Sequence, residues 1–370
     1  MSRTTTIPSE VIFDRYFSGH SSPAFRAKYR GRLNTLDFTD AVLGEALGAV
    51  RDEINKIYEL NAAGISSPDG CPIIHMDYLN SEEVNAFAFF EKGVSFIALT
   101  KGLLERLIQI SSQLWRLNLL GDLLGFDLST DTRNVLGATA LPILIQILSS
   151  HELGHFFHGH CGESALAKFK AENNIDRSFD GLGCARELRC QAMEVEADGY
   201  AAHMMLQNFF NGGVGEFLFK RLQSRLPKEE FILSYFVAAV GSLFYLWGPR
   251  SFDPAQIRQY DHPPALMRMN VFMRDINGWC SEHRPGLVAW GSVQQFQGVM
   301  RCVAMADESG QNFEAWQRQG EFLLGDAGKQ YIADLYSTRE KLRSEMEPLR
   351  WHFVAASEQV GRSEISEEVP

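Results

Sequence analysis

The chain has 370 residues, 45% of them apolar and 22% charged, so it can bury one large core or two ordinary ones. Its formal net charge of -11 argues against a general nucleic-acid binder, which needs a basic face against phosphate. The opening MSRTTTIPSEVIFDRYFSGH has no basic stretch followed by an apolar run, and the six cysteines show no short paired spacing, so a cytoplasmic chain with reduced thiols is expected.

The first periodic segment is 38–60, where Leu43, Leu47, Val50, Ile54 and Ile57 recur at helical spacing. A turn-rich stretch, NAAGISSPDG, follows at 61–70. Three strand-like runs come next, at 72–77, 84–90 and 94–100, with Glu-Lys-Gly suited to a hairpin between the last two. The chain then turns helical. Residues 119–136 are mixed and read as a loop, and a helix is expected from about Leu141 onward. Further helices are expected at about 184–211 and 231–247, then a helical stretch with breaks over 285–350.

The acidic end, 357–370, lacks apolar periodicity and reads as disordered. The sum is a helix-rich α+β protein with one small sheet. It parses as an N-terminal helical segment (1–66), a core (67–280), a C-terminal helical segment (281–356) and the tail. The run 231–247, FILSYFVAAVGSLFYLW, has no charge; a buried core helix is expected, with membrane contact as the alternative.

SSHELGHFFHGHCGES, at 149–164, carries the chemistry. His151 and His155 are four apart, hence one helical turn apart on one face, as two ligands of one metal must be. Glu152 sits beside them, within reach of a water on that metal. Zinc takes imidazole nitrogens and carboxylate oxygens, and a catalytic zinc keeps three protein ligands and one open position. His158, three residues past His155, is a competing ligand, and Cys161 reads as a packed thiol.

The third ligand is sought in CQAMEVEADGYAAHMML. Glu194 and Asp198 share a face, and Ala197, Ala201 and Ala202 permit a second helix to come close. Glu194 is assigned as the third ligand, with Glu196 as its competitor. Asp198 would accept a hydrogen bond from the free ring nitrogen of a zinc-bound histidine. His203 reads as structural.

HELGHFFHGH followed by EVEAD resembles the HExxH…ExxxD gluzincin peptidases of the HtpX and CAAX-prenyl-protease type. Two further segments are similar to that family in the same order: NAFAFFEKGVSFIALTKGLL (85–104) and DHPPALMR (261–268). The resemblance covers roughly 80–270. It implies a mainly helical zincin-like fold, with an edge strand of the small sheet flanking the zinc-binding helix, and a zinc cofactor. It further implies that Asn85, Ala86, Phe87 and Ala88 bind an extended substrate by strand addition. It places His262, held on a rigid turn by Pro263 and Pro264, near the scissile carbonyl as an oxyanion stabiliser or occasional zinc ligand. It assigns Arg268 no role. A weaker resemblance is to the Lit-type phage-exclusion and ImmA/IrrE-type peptidases.

The expected function is therefore a zinc metalloendopeptidase acting on a protein or peptide substrate, with Glu152 as general base. The alternative is a zinc-binding regulatory or signalling protein of peptidase fold without cleavage. A cytoplasmic protease needs restraint, so 119–136 or the C-terminal helices are expected to cover the cleft and open on an activating partner.

Overall fold

The computed structural model describes residues 7–38, 40–126, 129–162, 188–246, 248, 252–260, 262–291 and 313–354. The acidic tail lies outside them. The protein is mainly helical α+β, as its patterning predicts. It divides into two compact units, each discontinuous in sequence. The first comprises 1–104, 155–176 and 343–370, and the second 105–154 and 177–342.

The first unit is built on a three-stranded sheet of β2 (Ile73–Leu79), β3 (Ala86–Glu91) and β4 (Val94–Thr100), in the order β2-β4-β3. β4 is the centre because all seven of its residues are buried. β2 runs parallel to it and β3 antiparallel. The β3–β4 hairpin turns on Lys92 and Gly93, both at positive φ (49° and 84°), the backbone that a two-residue primed turn requires.

α1 (Ser9–Ser18), inside the 1–66 segment expected to be helical, covers this sheet through aromatic side chains, and α2 (Pro23–Lys28) packs on α1 through Phe25 against Phe17. Phe13 contacts Phe89 and Phe96, and those two rings stack at 5.0 Å. α3 (Ala41–Ala62) begins where Asp40 caps the Leu43 N–H. It is tied to β2 by the Asn55 amide, which bonds both the N–H and the carbonyl of Met76. A second small sheet, not foreseen, pairs β1 (Ile65–Ser66) with β5 (His352–Phe353).

The second unit is helical. α4 (Lys101–Gln113) starts directly from β4, its Leu103 N–H capped by Thr100 Oγ1. α5 (Asn118–Leu124) and α6 (Thr130–Phe157) follow. This corrects the reading of 119–136 as a loop. Leu120, Leu124 and Leu136 are buried, and Ser224 Oγ and the Arg225 N–H bond the Leu124 and Gly125 carbonyls. Tertiary burial outweighs Gly121 and Gly125, which made the segment look irregular.

α7 (Leu188–Asn211), α8 (Val214–Leu222), α9 (Lys228–Leu246), α10 (Ala265–His283), α11 (Phe313–Leu324) and α12 (Asp326–Met346) complete the described helices. α9 is a core helix: 83% of its most apolar window is buried inside the protein. Its hydroxyls find partners within the fold, Ser242 on the Ala238 carbonyl and Tyr235 on Thr139. By length and composition α6 passes the same test for a membrane span, which the sequence reading did not notice. Among the described residues, Cys71, Cys190 and Cys280 are free thiols.

Candidate metal centre

α6 brings the first histidine in on a buried stripe of Leu136, Ala140, Leu144 and Leu148, each four residues from the last. The helix continues unbroken to Phe157, so His151 and His155 stand one turn apart as the spacing predicts. α7 approaches closely because Gly154 has no side chain. A Cβ there would stand 3.0 Å from Ala197 Cα and 3.1 Å from Tyr200 Cβ. Small residues thus set the distance between the histidine helix and the carboxylate helix.

Glu194 Oε2 lies 3.2 Å from His151 Nε2. One ligand atom from each of His151, His155 and Glu194 falls within 4.8 Å of the others. These are the three residues assigned as ligands from sequence. The donor set fits zinc. For bonds of about 2.0–2.1 Å, tetrahedral ligands stand about 3.3 Å apart, close to the His151–Glu194 separation. Glu196, the competitor, is buried but outside this group.

Asp198, one turn beyond Glu194, lies with Oδ1 2.9 Å from His151 Nδ1. This is a close polar contact short of straight hydrogen-bond geometry, and it leaves Nε2 directed toward Glu194. Asp198 is held on its other side by Arg268, whose Nε and Nη2 donate at 2.9 and 2.7 Å. Arg268 Nη2 also stands 3.6 Å from Glu194 Oε2. The role that sequence did not supply for Arg268 is therefore a counter-charge for two carboxylates. The sequence carries a hint of it: an arginine inside the apolar run ALMRMNVFM needs a buried partner.

Charge in this cluster is finely divided. Burial alone would lower the His151 pKa, but Asp198 and Glu194 overcome it and push it to about 10. A site that holds a proton so firmly favours positive charge, and a metal ion would compete for that position. Burial raises the Glu152 carboxyl to about 7, with His151 and Arg268 holding it down and Glu194 and Asp198 pushing it up. Burial would also raise Asp198, but Arg268 and His151 keep it below its ordinary value.

His262 is half exposed, just ahead of the buried Pro263 and Pro264, and its Nε2 is 3.4 Å from Glu194 Oε2. The segment before it is fixed by a residue that sequence reasoning missed. Gln191, fully buried on α7, donates from Nε2 to the Ile257 and Tyr260 carbonyls at 2.8 and 2.7 Å. Its Oε1 accepts from Tyr331 OH, which fixes the amide's orientation. No periodicity marks such a residue; a buried glutamine among apolar neighbours is its only trace.

The remaining candidates, His203 excepted, lie in the first unit. β3 is an edge strand. Asn85 faces β4 through its carbonyl, which accepts from the Thr100 N–H, so Ala86 and Ala88 direct their backbone groups to the outer edge. There the Asn85 side chain accepts from the Ala86 N–H, and Cys161 Sγ lies 3.5 Å from the Ala88 carbonyl. Phe87 packs edge-on against Tyr29. His158 Nδ1 is 3.1 Å from Arg350 Nη2, a cation that removes it from competition for a metal. His203 is exposed on α7. Comparison with family models, with curated proteins and with solved structures finds no match to this chain.

Proposed function

We propose that this chain is a zinc-dependent metalloendopeptidase of zincin-like fold, acting in the cytoplasm on a protein or peptide substrate. The observation that carries the reading is the convergence of His151, His155 and Glu194 beside a buried Glu152. When bound, zinc supplies Lewis acidity to a water and to the carbonyl it attacks. His151 and His155 would hold it through ring nitrogens and Glu194 through a carboxylate oxygen. Glu152, buried beside them, takes a proton and returns it to the leaving amine. Asp198 and Arg268 hold His151 in orientation. His262 stands beside Glu194, where it can donate to an oxyanion. The edge position of β3 supports strand addition by an extended substrate along Asn85, Ala86, Phe87 and Ala88.

The test pairs metal analysis of the purified chain with a comparison of new protein N-termini in cells expressing wild type and Glu152→Gln. One zinc per chain and cleavages lost only in the variant are expected. Zinc without any Glu152-dependent cleavage would favour the regulatory alternative, and a chain that takes up no zinc would remove both.

A further inference from the structure

We infer, on the strength of the metal reading above, that His160 is the positioning residue for His155, and that the cap closing α6 exists in this form to put it there. α6 ends in a Schellman motif. Gly159 takes the left-handed conformation at φ 74°, its N–H bonds the Phe156 carbonyl at 3.0 Å, and the His160 N–H bonds the His155 carbonyl at 2.8 Å. This motif folds the residue after the left-handed glycine back over the side chain five places before it, and an apolar pair usually fills that contact. Here the pair is two imidazoles: His155 Nδ1 and His160 Nδ1 are 3.1 Å apart.

One of two imidazole nitrogens at that distance must carry the proton and the other must accept it. A histidine that binds metal through Nε2 carries its proton on Nδ1 and needs an acceptor there. His160 Nδ1 is in that place, buried with its residue 6% exposed. The two histidine ligands thus receive different supports. His151 has the carboxylate of Asp198, and His155 has a second imidazole.

The cap itself is held from outside. A Cβ on Gly159 would stand 2.8 Å from Leu349 Cβ, which together with the positive φ requires glycine. The Trp351 N–H bonds the Phe157 carbonyl at 3.2 Å, and its ring stacks on Phe156 at 5.1 Å. The segment 347–353 therefore contributes to the histidine ligand although it lies nearly two hundred residues away in sequence.

The test uses the full chain and zinc alone. Asparagine can place its Oδ1 where the histidine places Nδ1; leucine has the same shape and no acceptor. Zinc affinity, measured by chelator competition, should fall about 10- to 100-fold in His160→Leu and stay within about threefold of wild type in His160→Asn. The visible bands of the cobalt-substituted chain should shift in the leucine variant only. Equal affinity in wild type and His160→Leu, or equal loss in both variants, would overturn the role. Should the leucine variant not fold, long-range 1H–15N correlations of the zinc-loaded wild type decide: a proton on His155 Nδ1 supports the role and one on Nε2 overturns it. A wild type that takes up no zinc overturns the metal reading instead, and this inference with it.

Discussion

Replacing Arg268 by methionine tests the electrostatic logic of the centre without any metal. The guanidinium is 5% exposed and makes two hydrogen bonds to Asp198, itself 3% exposed. Nothing screens the pair, so no discount for solvent applies. Methionine fills much of the space but leaves Asp198 facing Glu194 and Glu152 with no arginine to offset them. Removing one partner of a buried pair costs about 3–5 kcal/mol; His151, 2.9 Å from Asp198 and proton-bound in the metal-free chain, offsets part of the stranded charge and puts the loss at the lower end of that range. At about 2–4 °C per kcal/mol for a unit of this size, the apo melting temperature should fall on the order of 10 °C.

The assay is thermal and urea unfolding of chelator-treated protein, so that metal binding does not enter the stability. Asp198→Leu alone should also destabilise, because it strands Arg268. The double variant should recover at least about 2 kcal/mol relative to the sum of the two. The surroundings allow this, being lined by Ile147, Leu148, Val240, Leu243 and Phe272, which accept apolar side chains. Arg268→Met costing under about 1 kcal/mol, or strict additivity in the cycle, would refute the account of Arg268 as an obligatory counter-charge.

Glu152→Gln should leave zinc stoichiometry unchanged and lower cleavage by about 10²-fold or more, measured as loss of substrate-derived N-termini. Gly154→Val should destabilise by about 1–3 kcal/mol in urea titration, because its side chain meets the Ala197 backbone and not a flexible neighbour. Burial would raise the fully buried Asp77, but His75, Arg32, the Tyr78 N–H and Arg51 depress its pKa below the ordinary value of 3.8. A depressed folded pKa stabilises above the unfolded value and is lost as pH falls through the folded one. Asp77→Asn should thus cost about 2 kcal/mol at pH 7, discounted because Arg32 is about a third exposed, and the difference from wild type should shrink in melts below about pH 4.

What the sequence made legible follows from range. His151, Glu152 and His155 lie within five residues, so helical geometry alone places them on one turn. Glu194 and Asp198 repeat that spacing, and their small neighbours signalled close approach, which Gly154 against Ala197 shows. The β3–β4 hairpin was readable because Lys92-Gly93 is a local turn signal. Where partners are distant, pattern failed. α5 contains Gly121 and ends on the left-handed Gly125, and it and the first turns of α6 are helical because Leu120, Leu124 and Leu136 are buried. The contacts of Arg268 with Asp198 and of Tyr331 with Gln191 join residues 70 and 140 positions apart, and no local period encodes either.

His160 is the instructive middle case. It stands five residues from His155, well inside the range of local reasoning, yet the helical wheel separates the two. Only the left-handed turn at Gly159 brings them together, and the order His-Phe-Phe-His-Gly-His spells that turn out. A histidine directly after the glycine that caps a helix can therefore be read from sequence as a partner for the residue five places before it. That makes the cap, as well as the HELGH spacing, part of the site's signature in this chain.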